Sequence, residues 1–279
     1  MWKPKIAAPT FLFRDKLEKE MPKILEQYAQ IGFDGVEFVG FGGWDKKEIK
    51  KMLLEYSLTP AGNNLSLYDI MDNLKDVVAV HEELGFYSLT AGSLRKEHLP
   101  GGEYFGETVE WFTKLGKECS AHGLKLLYHN HDFELREKIN GKTHLDILMD
   151  SIPTEFLLLQ PDLGWMQIGG ADPVSYLQRY QNRCPFVHVK DFFATDMEKI
   201  GNPFDLEGKR GGAERGFFEF RPTGYGISNI ASQLPYIKAC NPEWLVTCQD
   251  TGYERNSFED LRLGLEYVKK LCQLGTEHF

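Results

Sequence analysis

Short apolar and β-branched runs recur along this chain, and each is followed by a stretch whose apolar residues repeat at helical spacing. That alternation constrains the fold more than any other feature, because strictly alternating strands and helices predict a parallel sheet. The strand candidates are Ile6–Ala8, Gly35–Val39, Thr59–Asn63, Ser88–Ala91, Leu124–His129, Phe156–Gln160, Phe186–Lys190 and Trp244–Cys248. Helical periodicity fills the intervals, as in Leu17–Ile31, Ile70–Leu84 and Thr108–His122. Gly32, Gly85 and Gly123 stand between a helix and the next strand, where a left-handed cap suits a residue without Cβ.

About eight such units, without a GxGxxG or GxxxxGK[ST] phosphate loop, favour a closed α/β barrel over a doubly wound nucleotide fold. The expectation is therefore one (β/α)8 TIM barrel spanning residues 1–279 as a single domain. No Gly/Ser-rich linker or composition break divides it. The interval Phe192–Gly226 is longer, Gly-rich and charged, and is expected to act as an active-site lid, with a surface insertion as the alternative.

The chain carries 41 acidic and 32 basic residues, a formal net charge of −9 that works against binding nucleic acid. No apolar run reaches the roughly 20 residues that span a bilayer, and the N-terminus lacks a signal-peptide pattern, so no membrane role and a cytoplasmic location are expected. The five cysteines are scattered without CxxC spacing, which speaks against a disulfide framework or a zinc knuckle.

In a barrel of this kind chemistry gathers at the C-terminal ends of the strands. The densest group there is Tyr128-His129-Asn130-His131-Asp132-Phe133-Glu134, in which His129 and His131 are two apart and share a face of an extended backbone. Asp162 follows the sixth strand with Trp165 beside it; capping a helix is its alternative role, although Asp172 before Pro173 is the better cap. In the seventh strand His188 and Lys190 alternate with Val187 and Val189, which puts two polar side chains on one face. Two histidines and a carboxylate arriving from three strands suit Mn²⁺, Co²⁺, Fe²⁺ or Zn²⁺ rather than Ca²⁺, with Mn²⁺ the leading expectation. A fourth group is expected from the eighth strand, which offers Cys248-Gln249-Asp250. Glu37, Asn63 and Asn64 are candidates for substrate hydroxyls.

These residues resemble the xylose isomerase-like sugar phosphate isomerase/epimerase superfamily over most of the chain. The likeness rests on Gly32-Phe33-Asp34-Gly35-Val36-Glu37, the Tyr128–Glu134 run, Asp162-Leu163-Gly164-Trp165 with Gly170-Ala171-Asp172-Pro173, and His188-Val189-Lys190-Asp191. It implies a divalent metal at the barrel mouth, held by positions that look like His129, Asp162, His188 and Cys248. Two departures stand out. Many members carry Glu where this chain has His129 and Cys248, and Gly-Glu-Gly where it reads Gly224-Tyr225-Gly226. A Cys248 thiolate would favour Zn²⁺, whereas a packed neutral thiol leaves three ligands and water, the preferred reading.

The chemistry implied is removal of a proton next to a carbonyl of a small sugar or polyol, in isomerisation or epimerisation. The missing eighth-strand Glu strengthens an alternative, β-elimination by a lyase or dehydratase, which needs one base. His131 and Glu134 are the base candidates, and Lys190 orients or protonates an oxygen. Trp44 and Trp165 offer apolar walls, and Asp250 and Arg221 further contacts to substrate. Arg95, Arg210 and Arg215 stand in expected loops, where they could meet a phosphate. A barrel that only binds carbohydrate is the reading of another class. The abasic-site endonuclease relatives need a basic groove, which the acidic balance disfavours. A homo-oligomer is compatible with the sequence.

Overall fold

The computed structural model describes residues 2–198, 200, 218–252 and 255–274. Eight parallel strands form one sheet: β1 (Lys5–Pro9), β2 (Gly35–Phe38), β3 (Thr59–Ser66), β4 (Ser88–Gly92), β5 (Lys125–His129), β6 (Leu158–Gln160), β7 (Phe186–His188) and β8 (Trp244–Val246). Their order around the sheet is β6-β5-β4-β3-β2-β1-β8-β7. A parallel bridge between Asp162 and His188 joins the two edges just beyond β6, and His188 N donates to Pro161 O across the seam. The barrel thus closes at the residues that the sequence marks for chemistry.

Helices wrap the outside because each carries one apolar stripe. Leu17–Ile31 buries Leu17, Met21, Ile24, Leu25 and Tyr28, a spacing of three and four that lies along one face. It ends at Gly32, whose φ of +95° lets the cap bond back to Tyr28 and Ala29 carbonyls. The stretch expected as one helix over Ile70–Leu84 is two, Leu67–Asp72 and Leu74–Leu84, broken at Asn73 with φ −134°. Asn is a weak helix former, and β3 runs on to Ser66, so the chain needs a corner there.

The interior of the barrel is filled rather than open. Phe186 and Trp244 lie across it with Ala7, Ala61, Leu127 and Val246. A Cβ on Gly35 would stand 2.7 Å from the Trp244 indole, and one on Gly62 would stand 2.9 Å from Ser88 Oγ and 3.5 Å from the Phe186 ring. Small residues on β1, β2 and β3 therefore clear space for two large rings, which form a floor beneath the strand ends.

Beyond β7 the chain continues as a two-stranded antiparallel hairpin, Asp191–Ala194 with Phe218–Arg221. Asp191 organises its return: the carboxylate accepts from the backbone N–H groups of Phe192, Gly224, Gly226 and Ser228 at 2.9–3.0 Å. A Cβ at Gly226 would meet Asp191 Oδ1 at 2.2 Å, so the Gly224-Tyr225-Gly226 run wraps the carboxylate while Tyr225 stays exposed. Residues 201–217 of the expected lid, with Arg210 and Arg215, lie outside the described residues. Among the described residues no helix is long and apolar enough to cross a membrane.

Candidate functional site

The polar ends of β2, β5, β7 and β8 meet around a cavity of about 380 Å³ above the aromatic floor. Its lining includes Glu37, His129, His131, His188, Lys190, Cys248 and Asp250 on the polar side, and Phe11, Val39, Leu65, Leu94 and Phe133 on the apolar side.

Asp162 is the hub. It is fully buried, and its two carboxylate oxygens have separate duties. Oδ1 accepts from Trp165 N at 2.9 Å, which caps the short helix Leu163–Ile168. Oδ2 is left for the site: Lys190 Nζ lies at 2.8 Å, His188 Nδ1 at 3.8 Å and His129 Nε2 at 3.9 Å. The capping role and the site role thus coexist in one side chain, and Asp172 caps the following helix as expected. Burial raises the Asp162 carboxyl, opposed chiefly by the Lys190 ammonium.

One ligand atom each from His129, Asp162 and His188 lies within 4.8 Å of the others. His188 Nδ1 is buried without a hydrogen-bond partner, and burial pushes His129 well below the usual histidine range, as do neighbouring positive groups. Two imidazoles beside a carboxylate, with an unsatisfied nitrogen on His188, make a donor set that fits a divalent transition metal. Cys248 Sγ stands 3.9 Å from Asp162 Oδ2. Burial pushes its thiol well above the usual cysteine range, so the sulfur keeps its proton, unlike a thiolate ligand.

Lys190 is almost fully buried, yet charged: burial alone would push the ammonium down, but Asp162 and Asp250 hold it up. Its Nζ lies 2.7 Å from Asp250 Oδ1 and 5.0 Å from the centre of the Trp165 ring. Asp250 Oδ2 in turn accepts from Trp165 Nε1 at 3.0 Å. His131 stacks on Phe133 with centroids 5.6 Å apart and planes 8° apart. Burial first, and Lys190 second, lower it to about 4, which leaves a neutral imidazole on the cavity wall at pH 7.

Several expected contacts are placed differently. Glu134 does not line the cavity; it is buried beneath the site, accepting from Tyr128 OH at 2.7 Å and from His131 N at 2.8 Å, so it braces the base candidate instead of acting beside it. Trp44 is likewise away from the lining, its Nε1 donating to Leu17 O, because the loop after β2 folds it onto the first helix. Asn63 is buried between Gly40 N and His81, whereas Asn64, one residue on, faces the cavity. Trp165 is fully enclosed behind Lys190, and Arg221 pairs with Glu219 on the hairpin. Arg95 stacks on Tyr68 at 4.0 Å. Glu37 does reach the cavity, but its carboxylate is bound to His188 and Gln160. Sequence reasoning passed over Gln160 as a mere strand end; an amide at an inward position of a parallel strand was the available signal.

Glu134 also makes a testable statement about stability. Burial raises its carboxyl from 4.5 to about 8, so the native state keeps a proton that the unfolded chain releases. That contribution is complete below pH 4.5 and is lost as pH rises through 8. His131 works oppositely, with stability present above its unfolded 6.5 and lost as pH falls through 4. Between pH 6.5 and 8 Glu134 therefore acts without His131, and Glu134→Gln should remove a decline of about 2 kcal/mol. Urea unfolding of both proteins at the two pH values checks this; equal declines would contradict it.

Comparison with known proteins agrees with this architecture. Residues 25–271 match the family described as xylose isomerase-like TIM barrel. A protein named inosose dehydratase from Clostridium botulinum is 26% identical over 92% of this chain and 91% of its own length. Another of that name from Clostridium beijerinckii is 30% identical, but the match covers only 36% of this chain and 34% of that protein. The crystal structure of a sugar phosphate isomerase/epimerase from Parabacteroides distasonis superposes with a TM-score of 0.72 at 20% identity, covering 96% of this chain and 94% of that one. The chain, with its eight parallel strands and its His, Asp and His at the strand ends, belongs to the xylose isomerase-like TIM barrel family.

Proposed function

We propose that the protein is a metal-dependent lyase that eliminates water, or another oxygen leaving group, β to the carbonyl of a small sugar-derived ketone such as an inosose. The observation that carries this reading is Cys248: at the eighth-strand position a neutral thiol stands where two-base chemistry needs a second carboxylate. The remaining carboxylates of the lining are engaged, Glu37 by His188 and Gln160, Asp250 by Lys190 and Trp165. His131 is left as the neutral base facing the cavity. The resemblance to proteins named inosose dehydratase over nearly the whole chain supports the same choice.

His129, Asp162 and His188 would hold Mn²⁺, or Co²⁺, Zn²⁺ or Fe²⁺, and such an ion supplies Lewis acidity that polarises a carbonyl. His131 takes the proton from the carbon next to that carbonyl. Two of the three Lys190 N–H bonds are directed to Asp162 and Asp250, and the third is available to a substrate oxygen on which negative charge grows. His131 then returns its proton to the departing hydroxyl, so that one C–H and one C–O bond break, a C=C bond forms and water leaves. Phe11, Val39, Leu65, Leu94 and Phe133 cover the apolar face of the substrate and exclude bulk water.

Isomerisation or epimerisation is the second reading, favoured by one feature: the Cys248 sulfur lines the same cavity with its proton in place. Incubation of the Mn²⁺-loaded protein with inososes, ketoses and 3-keto-glycosides in D₂O separates the two. Loss of water or aglycone is expected; deuterium in recovered substrate or an isomer without loss would establish the second reading, and binding without either change a carbohydrate-binding barrel. His131→Gln should lower turnover about 10²–10⁴-fold with the fold retained by circular dichroism. Unchanged turnover would remove His131 from the mechanism.

A further inference from the structure

The two site histidines are held by a chain of hydrogen bonds that runs across the barrel. Glu37 at the end of β2 faces His188 Nε2, with Oε2 at 3.0 Å and Oε1 at 3.2 Å. Glu37 Oε1 also accepts from Gln160 Nε2 at 2.8 Å. Gln160 Oε1, on the other side of the amide, is 3.0 Å from His129 Nδ1. All four side chains are buried, and Thr90 Oγ1 stands 3.5 Å from the same Gln160 nitrogen.

We infer that Gln160 is a positioning residue which, together with Glu37, dictates which nitrogen of His129 and of His188 faces Asp162. The logic starts at Glu37, whose side-chain oxygens accept from Gln160 Nε2 at 2.8 Å and face His188 Nε2 at 3.0 Å. The amide must then turn its NH₂ to Glu37 and its oxygen to His129, which resolves the usual ambiguity of a carboxamide. An amide oxygen also only accepts, so His129 carries its proton on Nδ1 and presents the bare Nε2 to Asp162. His188 donates from Nε2 to Glu37, and its bare Nδ1 is the buried atom without a partner. Opposite nitrogens of the two rings are thereby directed to one carboxylate oxygen by a single bracket. Neither Glu37 nor Gln160 touches a substrate in this role. Through the bracket β2 and β6, on opposite sides of the barrel, fix the donor atoms contributed by β5 and β7.

The inference rests on the metal reading only for its effect on affinity, so its test has two separable arms. In the metal-free, full-length protein labelled with ¹⁵N-histidine, ring ¹⁵N–¹H correlation spectra report the tautomers, with His129→Gln and His188→Gln spectra giving the assignments. The expected result is a proton on Nδ1 of His129 and on Nε2 of His188. Gln160→Leu should release His129 into a mixture of tautomers and weaken Mn²⁺ binding about 10–100-fold, as loss of an orienting partner does. Gln160→Glu, which keeps an acceptor for His129 but has no donor for Glu37, should retain the His129 tautomer, and it carries the test if the Leu variant does not fold. A wild-type His129 protonated on Nε2, or a Leu variant with unchanged tautomer, would overturn the inference. Correct tautomers in a wild-type protein that binds no metal would sink the proposed metal centre and leave the bracket standing.

Discussion

Asp162→Ala should abolish turnover, lowering it by about 10³-fold or more, and should destabilise the fold at the same time. The activity loss follows from removing the only carboxylate of the His129, Asp162 and His188 group, since a metal's stabilisation of developing charge amounts to several kcal/mol and each decade of rate to about 1.4. The stability loss has a different origin. Asp162 Oδ2 is 2.8 Å from a buried ammonium, and Oδ1 caps a helix, so the variant strands half the charge compensation of Lys190 and frees the Trp165 N–H. Removing one partner of a buried ion pair costs about 3–5 kcal/mol. Urea unfolding with and without Mn²⁺ reads both effects: added metal should stabilise the wild type and leave the variant unmoved. A variant that retains activity and metal-induced stabilisation would refute the assignment of Asp162.

Lys190→Met should be destabilising by a similar amount, about 3–5 kcal/mol, but with the opposite response to metal. Methionine fills much of the volume against Trp165 and Phe220, where the lysine ammonium lies 5.0 and 5.5 Å from the ring centres. What the substitution removes is the positive charge between Asp162 and Asp250, 2.8 and 2.7 Å away. Two buried carboxylates then repel each other without compensation. A divalent cation brings charge of the missing sign to Asp162, so Mn²⁺ should raise the stability of this variant more than that of the wild type. Turnover should still fall, because the third N–H of the ammonium is no longer available to a substrate oxygen. Equal metal responses in the two proteins would mean that Lys190 and the ion do not share Asp162.

Much of the architecture is legible from the residues alone. All eight strand positions, the helix over Leu17–Ile31 and the left-handed glycines at 32, 85 and 123 follow from periodicity and backbone sterics, which are local properties. Polar residues at strand ends mark His129, His131, Asp162, His188 and Lys190 as candidates, since an inward-facing polar group in a barrel strand needs a reason to be there, and the structure brings the five together. Trp44, Asn63, Glu134 and Arg221 show where that reasoning stops. Asn63 and Glu134 each adjoin a cavity-lining residue in sequence, Asn64 and Phe133, and a turn of one residue decides between cavity and core, whereas Trp44 and Arg221 are drawn to partners elsewhere, Leu17 and Glu219.

The sequence by itself determined the repeating strand and helix units, the barrel they close into and the set of polar side chains carried to its mouth. The tertiary structure alone decided which of those side chains meet. Glu37 and Gln160 lie 123 residues apart and share a hydrogen bond, and Lys190 settles between Asp162 and Asp250. Periodicity describes a residue's own strand, whereas partners across a closed barrel depend on register and on the bridge between Asp162 and His188 that joins its edges. The shifted ionisations of His129, His131, Asp162, Lys190 and Cys248 follow from that enclosure, because desolvation and neighbouring charge act through space and not along the chain.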